Sequence, residues 1–302
     1  MRILLTGAFN YSQEQLQTIN DLGIEVSFLQ QEKESLPVPA SSIDAVVCNG
    51  LFLYHYLDEF TSLKYIQLTS AGFDRVPLDA IKEKGIIINN ARGVYSTPMA
   101  EWALGRILEH YKHFGTFNLA QQNKEWNKDR DVKEINGTRT AIVGAGNIGQ
   151  EVAKRLSIFG STVIGYDVFF GSRPNFEDVH HVDALASEIQ DYDIVVLTAP
   201  LTDETRHMIS RSILESMKKD AILVNIARGG LVDTAALMDV LQERPDLFAA
   251  LDVFEEEPLS SESMLWSLPN VAVSPHNSFV SNGNNERMFS VIYNNLKQYL
   301  GK

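Results

Sequence analysis

A single cysteine, Cys48, stands in 302 residues. An intrachain disulfide and a thiolate metal cluster are both excluded, and no oxidising compartment is needed. Long apolar runs are missing as well. A membrane helix needs about 20 predominantly apolar residues, and no such stretch exists. The longest uncharged run, Ser263 to Asn285, is rich in Ser and Asn and carries Pro269 and Pro275. The apolar run within Met1 to Gly7 is too short for a signal peptide. These absences predict a cytoplasmic protein. Positive charge is also in deficit, with 26 Lys and Arg against 39 Asp and Glu, a net charge of −13. Phosphate-rich partners would be repelled, which argues against nucleic acid and against an anionic membrane surface. No internal repeat and no low-complexity tract is visible.

What remains is an ordinary soluble composition, 44% hydrophobic and 22% charged, in a chain long enough for about two domains. Short β-branched or aliphatic runs alternate with longer helix-like stretches. The first set of strands is Ile3–Thr6, Val26–Leu29, Ala45–Cys48, Tyr65–Leu68 and Ile86–Asn89. The second is Ala141–Val143, Val163–Tyr166, Ile194–Thr198, Ile222–Ile226, Ala249–Val253 and Val271–Ser274. Few of them alternate apolar with polar residues, so both faces are expected to be buried, as in parallel sheets. The pattern predicts an α/β protein with two doubly wound parallel-sheet units, of five and six strands. Between the sets, Leu104, Ile107, Leu108, Tyr111 and Phe114 mark one face of a helix that begins near Pro98. The polar stretch Gln121 to Asn136 reads either as a surface linker or as an arm that packs on a second subunit. An amphipathic helix near Arg287–Leu300 ends the chain.

Gly144-Ala145-Gly146-Asn147-Ile148-Gly149 is a GxGxxG that follows a strand and opens a helix with apolar positions Ile148, Val152, Leu156 and Phe159. The next strand ends at Asp167, about 20 residues on, the dinucleotide fingerprint spacing. The first glycine permits the tight turn, the second lets backbone approach a pyrophosphate, and the third lets helix and strand pack closely. A pyrophosphate would then meet the positive end of the helix dipole. Asp167 suits both ribose hydroxyls and repels a 2′-phosphate, which favours NAD(H) over NADP(H); Arg173 dilutes that preference. Glycines used for packing alone, or a methyltransferase nucleotide site, are the rival readings.

Ligands of open α/β sheets bind beyond the carboxyl ends of the strands. Those ends carry Asp167, Thr198-Ala199-Pro200, Ala227-Arg228-Gly229-Gly230, Asp252 to Glu257, and Pro275-His276-Asn277-Ser278. Arg228 is a fixed cation able to grip a carboxylate and polarise a carbonyl. Histidine suits proton transfer near neutral pH, which nominates His276, and Glu257 is the carboxylate to orient its ring. A cation, a proton donor and a hydride carrier together make a site for reducing 2-oxo acids. Taken singly, each has a plainer explanation: a solvated loop charge, one glutamate of an acidic run, a turn histidine. The remaining histidines, His55, His110, His113, His180, His181 and His207, read as surface or packing residues.

These residues resemble the D-isomer-specific 2-hydroxyacid dehydrogenase family. The matching segments are Thr69–Asp74, Gly144–Gly149, Leu197–Thr202, Asn225–Asp233, Leu251–Pro258 and Ser274–His276, and they follow the family's order along nearly the whole chain. The resemblance implies a flavodoxin-like substrate domain over 1–97 and 278–302. Into it a Rossmann NAD-binding domain, 98–277, is inserted, with a dimerisation arm at about 101–136. The active site is then expected in the cleft between domains. It assigns Arg228, Glu257 and His276 to catalysis, and Ser70, Ala71, Gly72 and Arg228 to the substrate, the Ala71 and Gly72 amides cradling its carboxylate. It assigns Gly144, Gly146, Asn147, Ile148, Gly149, Asp167, Ala199, Pro200, Ala227 and Asp252 to NAD. The implied protein is a homodimeric NAD-dependent oxidoreductase that moves a hydride between nicotinamide and C2 of a small 2-oxo or D-2-hydroxy acid.

Departures from the family pattern refine this. Formate dehydrogenases of the superfamily carry glutamine where Glu257 stands, so a 2-hydroxy acid is favoured over formate. Many members have a glycine soon after the histidine, where this chain reads Asn277-Ser278. The loop Asn49–Tyr54 holds no cation, unlike phosphoglycerate-specific members, which predicts poor activity on 3-phosphoglycerate. Leu51, Phe52, Leu53 and Tyr54 serve equally well as an apolar substrate pocket or as core, and Arg92 and Tyr95 as substrate contacts or surface. The competing class is an NAD-sensing, partner-binding protein like the carboxy-terminal-binding-protein corepressors, which keep the same three residues without a need for turnover.

Overall fold

The computed structural model describes residues 1–302. In chain order its strands and helices are β1 (Arg2–Thr6), α1 (Gln13–Asn20), β2 (Glu25–Leu29), β3 (Ala45–Cys48), β4 (Tyr65–Leu68), α2 (Leu78–Glu83), β5 (Ile87–Asn89), α3 (Ser96–Tyr111), α4 (Phe114–Asn123), β6 (Arg139–Val143), α5 (Asn147–Ile158), β7 (Thr162–Asp167), β8 (Asp178–His181), α6 (Leu185–Glu188), β9 (Ile194–Leu197), α7 (Arg211–Ser216), β10 (Ile222–Asn225), α8 (Thr234–Glu243), β11 (Phe248–Leu251), β12 (Val271–Val273) and α9 (Asn284–Tyr299). Two compact units result, Met1–Tyr95 with Ser281–Lys302, and Ser96–Val280.

The first unit is a five-stranded parallel sheet in the order β2-β1-β3-β4-β5. Its central strands β1, β3 and β4 are buried on both faces because successive side chains feed two different cores. Ile3, Leu5, Ala45, Val47 and Tyr65 face one way, against Ile19 of α1 and the Met288, Ile292 and Leu296 stripe of α9. Leu4, Val46, Cys48, Ile66 and Leu68 face the other way, against Leu57, Phe60 and Ile81. Ser12 starts α1 with a capping box closed by Gln15. Strand order reverses between β1 and β3, so the loops after them open on the crevice where such sheets bind ligands.

The second unit is a seven-stranded parallel sheet, β12-β11-β10-β9-β6-β7-β8. The fold class is therefore two parallel-sheet α/β domains. Order reverses between β6 and β9, which places the glycine loop and Thr198 at the switch point. One core runs under β6, β9, β10 and β11 through Val143, Leu197, Leu223 and Leu251. Segment 124–136 has no helix or strand, and together with α4 it exposes Phe114, Phe117, Leu119, Val132 and Trp126, the last at 94%. Of these, Phe117 and Trp126 border a groove of about 800 Å³ between α4 and the following loop.

The structure corrects three sequence expectations. The second sheet has seven strands, not six: β8 was missed because Asp178-Val179-His180-His181 buries only Val179. An edge strand needs little apolar surface and so leaves little pattern. The buried stripe of α3 is Ala100, Ala103, Ile107 and Tyr111, with Leu104 and Leu108 only half-buried. Its alanines are small, and a count of large apolar residues misplaces the face. Phe114 does not extend that stripe, since His113 turns left-handed (φ 52°) and Phe114 begins α4, exposed. Phe159 likewise lies just past α5 and is exposed, while Val152 and Leu156 are buried as expected.

Candidate active site

The glycine loop is shaped by backbone proximity. Gly144 has a φ of +98°, and a Cβ there would lie 2.6 Å from Ala199 N, so β6 turns directly over the Thr198–Ala199 peptide. At Gly149 a Cβ would lie 2.1 Å from Gly144 O, which ties α5 to the loop. Thr198 Oγ1 donates to Gly144 O at 2.6 Å and braces the same turn. Gly146 differs from both: a Cβ there would meet nothing within 4 Å. Open space therefore faces the first turn of α5, whose N–H groups have no partner within the helix. An anionic dinucleotide fits such a cradle.

Asp167 ends β7 and grips the loop. Its Oδ2 accepts from Ala145 N at 2.8 Å and its Oδ1 from Phe169 N at 3.0 Å. Arg173 lies beside it, donating to Ala145 O at 2.7 Å and to Phe169 O at 2.5 Å. A carboxylate and a guanidinium thus hold the two peptides on either side of Ala145, at the edge where a ribose would bind.

The other candidates follow neighbouring strands. Asn225, buried at the end of β10, accepts from Ala227 N and donates to Arg228 O, which sets the turn that presents Arg228. Gly229 packs on the next loop, where a Cβ would lie 1.9 Å from Phe254 C. In that loop Glu257 Oε1 accepts from Phe254 N at 3.0 Å, and Oε2 pairs with His276 Nδ1 at 2.8 Å. His276 follows β12 with a φ of 50°. Neighbouring strands lie about 4.8 Å apart, so Arg228 and His276, two strands removed, are offset by roughly 10 Å at their backbones. The Nδ1 contact leaves Nε2 of His276 for proton exchange.

Asp252 is fully buried, and its carboxylate turns toward the His276 loop. It accepts from Ser274 Oγ, from Asn277 N at 2.8 Å and from Ser278 N at 2.8 Å, while its carbonyl takes the N–H of His276 at 2.8 Å. Asp252 thus makes four contacts to the left-handed turn at His276, which His276 N also closes on Ser274 O at 3.0 Å.

In the first unit, Asn90 Nδ2 donates to Ala71 O at 2.5 Å, Tyr95 OH to Thr69 O at 2.5 Å, and Ser70 Oγ to Gly72 O at 2.9 Å. Gly72 is not among the residues with positive φ, so the loop's shape does not draw on glycine's freedom. Tyr95 is thus a loop brace. Of the residues after β3, Leu51 is core, Phe52 packs on that core, and Leu53 and Tyr54 are exposed. Glu32 holds this loop by accepting from Asn49 N and Gly50 N, each at 2.7 Å.

Sequence reasoning missed several of these residues. Asn225 was visible as a polar residue closing an apolar strand. Ser274 and Glu32 left no signal, because their partners lie 22 and 17 or 18 residues away. Arg75 also escaped notice: its Cδ comes within 3.8 Å of a Cβ built on Gly50, so a cation from another loop borders Asn49–Tyr54.

Comparison with known proteins shows the family. The family model for the D-isomer specific 2-hydroxyacid dehydrogenase NAD binding domain matches residues 104–278. The chain is 34% identical to a hydroxypyruvate reductase of Thermotoga maritima over 85% of each protein. It is 37% identical to a D-3-phosphoglycerate dehydrogenase of Methanocaldococcus jannaschii over 73% of this chain, and spans only 42% of that longer protein. A solved D-isomer specific 2-hydroxyacid dehydrogenase of Xanthobacter autotrophicus Py2, in complex with NADPH and MES, superposes with a TM-score of 0.80 at 25% identity, covering 99% of this chain and 96% of that one. With the match over 104–278 and 34% identity over 85% of both proteins, the chain belongs to the D-isomer specific 2-hydroxyacid dehydrogenase family.

Proposed function

We propose that the protein is an NAD(H)-dependent reductase of small 2-oxo acids that forms the D-2-hydroxy acid. One observation carries the reading: Glu257 fixes one nitrogen of the His276 ring and leaves the other for the substrate oxygen. When bound, the dinucleotide supplies the hydride. Gly144 to Gly149 hold its phosphates and Asp167 its ribose, with Ala199, Pro200 and Ala227 lining the rest of the site, while the buried Asp252 acts from behind it by holding the His276 loop. His276 Nε2 gives a proton to the carbonyl oxygen as that oxygen gains charge. Arg228 binds the carboxylate and stabilises the developing oxyanion.

The decisive experiment is steady-state turnover of a panel of 2-oxo acids with NADH and NADPH. Glyoxylate, pyruvate and branched 2-oxo acids are the expected substrates, with NADH preferred. His276→Ala should lower kcat by at least about 100-fold. Near-wild-type turnover in that variant removes His276 from the role, and no turnover on any acid favours an NAD-sensing protein instead. A reading toward acidic 2-oxo acids has one observation in its favour, Arg75 beside Gly50. Phosphohydroxypyruvate in the same panel decides between the two. The exposed Phe117, Leu119 and Trp126 are assigned to a homodimer interface, and a monomeric sedimentation coefficient at micromolar concentration refutes that assignment.

A further inference from the structure

The loops after β9, β10 and β11 meet at a histidine that the proposed reaction does not use. His207 follows β9 with a φ of 53°, a conformation that glycine adopts without cost and histidine does not. Its N–H donates to Gly230 O at 2.8 Å, two residues beyond Arg228. Its ring Nε2 pairs with Glu255 Oε1 at 2.6 Å, two residues before Glu257. The other oxygen of Glu255 accepts from Thr234 N at 3.1 Å, the first residue of α8. Burial raises the Glu255 carboxyl, but hydrogen bonds from Thr234 and His207 outweigh it and hold the group below the usual carboxylate range. One short loop therefore carries two carboxylates with opposite duties. Glu257 reaches His276, and Glu255 reaches back to the loop that abuts Arg228.

We propose that His207 and Glu255 are a positioning pair for this active site, locking the Glu257 loop to the Arg228 loop and so fixing the place from which Glu257 orients His276. The proposal rests on the functional reading above. Three geometric facts support it. The ring contact spans 48 residues of sequence. The same histidine ties both loops, one through its backbone and one through its side chain. Gly229 and the Phe254–Glu255 peptide pack too closely for either loop to shift alone. Exposed ion pairs add little to stability, and His207 and Glu255 side chains are 43% and 29% exposed. The pair's main effect is therefore on position.

The test uses the full chain with His207→Gly, Glu255→Gln, the double variant, and His207→Gln to restore a donor near the Nε2 position. Glycine relieves the backbone strain at 207, so lost activity in that variant reports the missing ring. Small misplacements of catalytic groups are costly, so kcat should fall about tenfold in each single variant, with the KM for NADH unchanged within about twofold. The double variant should be no worse than the singles, and His207→Gln should recover part of the loss. Unchanged kcat, additive single effects, or a loss that follows only the melting temperature overturns the proposal. If the wild type itself turns over no 2-oxo acid, the functional reading fails and the pair is read separately. The ¹⁵N shifts of the His276 imidazole then move in the variants if Glu257 has been displaced. Shifts identical to wild type overturn the pairing.

Discussion

Asp252→Asn tests how the His276 turn is held, and its outcome follows from hydrogen-bond counting. The carboxylate accepts two bonds on Oδ1, from Ser274 Oγ and Asn277 N, and one on Oδ2, from Ser278 N. Asparagine has the same shape but only one oxygen. With that oxygen at the Oδ1 position, the amide NH₂ meets Ser278 N–H, donor against donor. Flipped, it satisfies Ser278 and meets Asn277 N–H instead, while the Ser274 hydroxyl can rotate to accept. Either orientation orphans one backbone N–H beside a fully buried side chain. Such a group costs about 1–3 kcal/mol. In a unit of this size each kcal/mol lowers the melting temperature by about 2–4 °C, so a drop of roughly 2–12 °C is expected. All three tryptophans, Trp102, Trp126 and Trp266, lie in Ser96–Val280, so their fluorescence follows the unit concerned. Activity should fall with stability, because the weakened turn is the one that places His276 at a φ of 50°. A variant that melts with wild type and keeps its kcat refutes the claim that Asp252 holds the loop.

Two further outcomes follow from the geometry. Gly146→Ala and Gly149→Ala should separate binding from folding. The first puts a methyl into open space, so melting changes by no more than about 1 kcal/mol while dinucleotide affinity drops, as titration calorimetry would read. The second drives a methyl into Gly144 O and costs about 1–3 kcal/mol or more of stability; equal melting of the two variants contradicts this. His110 stacks on Phe248 at 4.0 Å, and burial, then His113 and Lys133, push its pKa down to about 4. The unfolded chain then binds the proton more readily, so stability is lost as pH falls from about 6.5 towards 4. His110→Phe should flatten that part of the pH–stability curve, and an unchanged slope in urea denaturation at pH 5 and 7 counts against it.

The residues themselves determined much of this protein. Doubly buried strands need continuous apolar runs, so Ala45–Cys48 and Ile194–Leu197 announced parallel sheets. The glycine spacing and Asp167 announced the dinucleotide loop, because those constraints act within one βαβ unit. Tertiary structure decided the rest. β8 has almost no apolar surface to betray it, and Ala100 and Ala103 bury a helix face through smallness. The turn of the Asp252 carboxylate toward Ser274, Asn277 and Ser278, and the reach of His207 to Glu255, depend on which strands lie side by side. That order is set by burial summed over the whole sheet, which no local window of sequence contains.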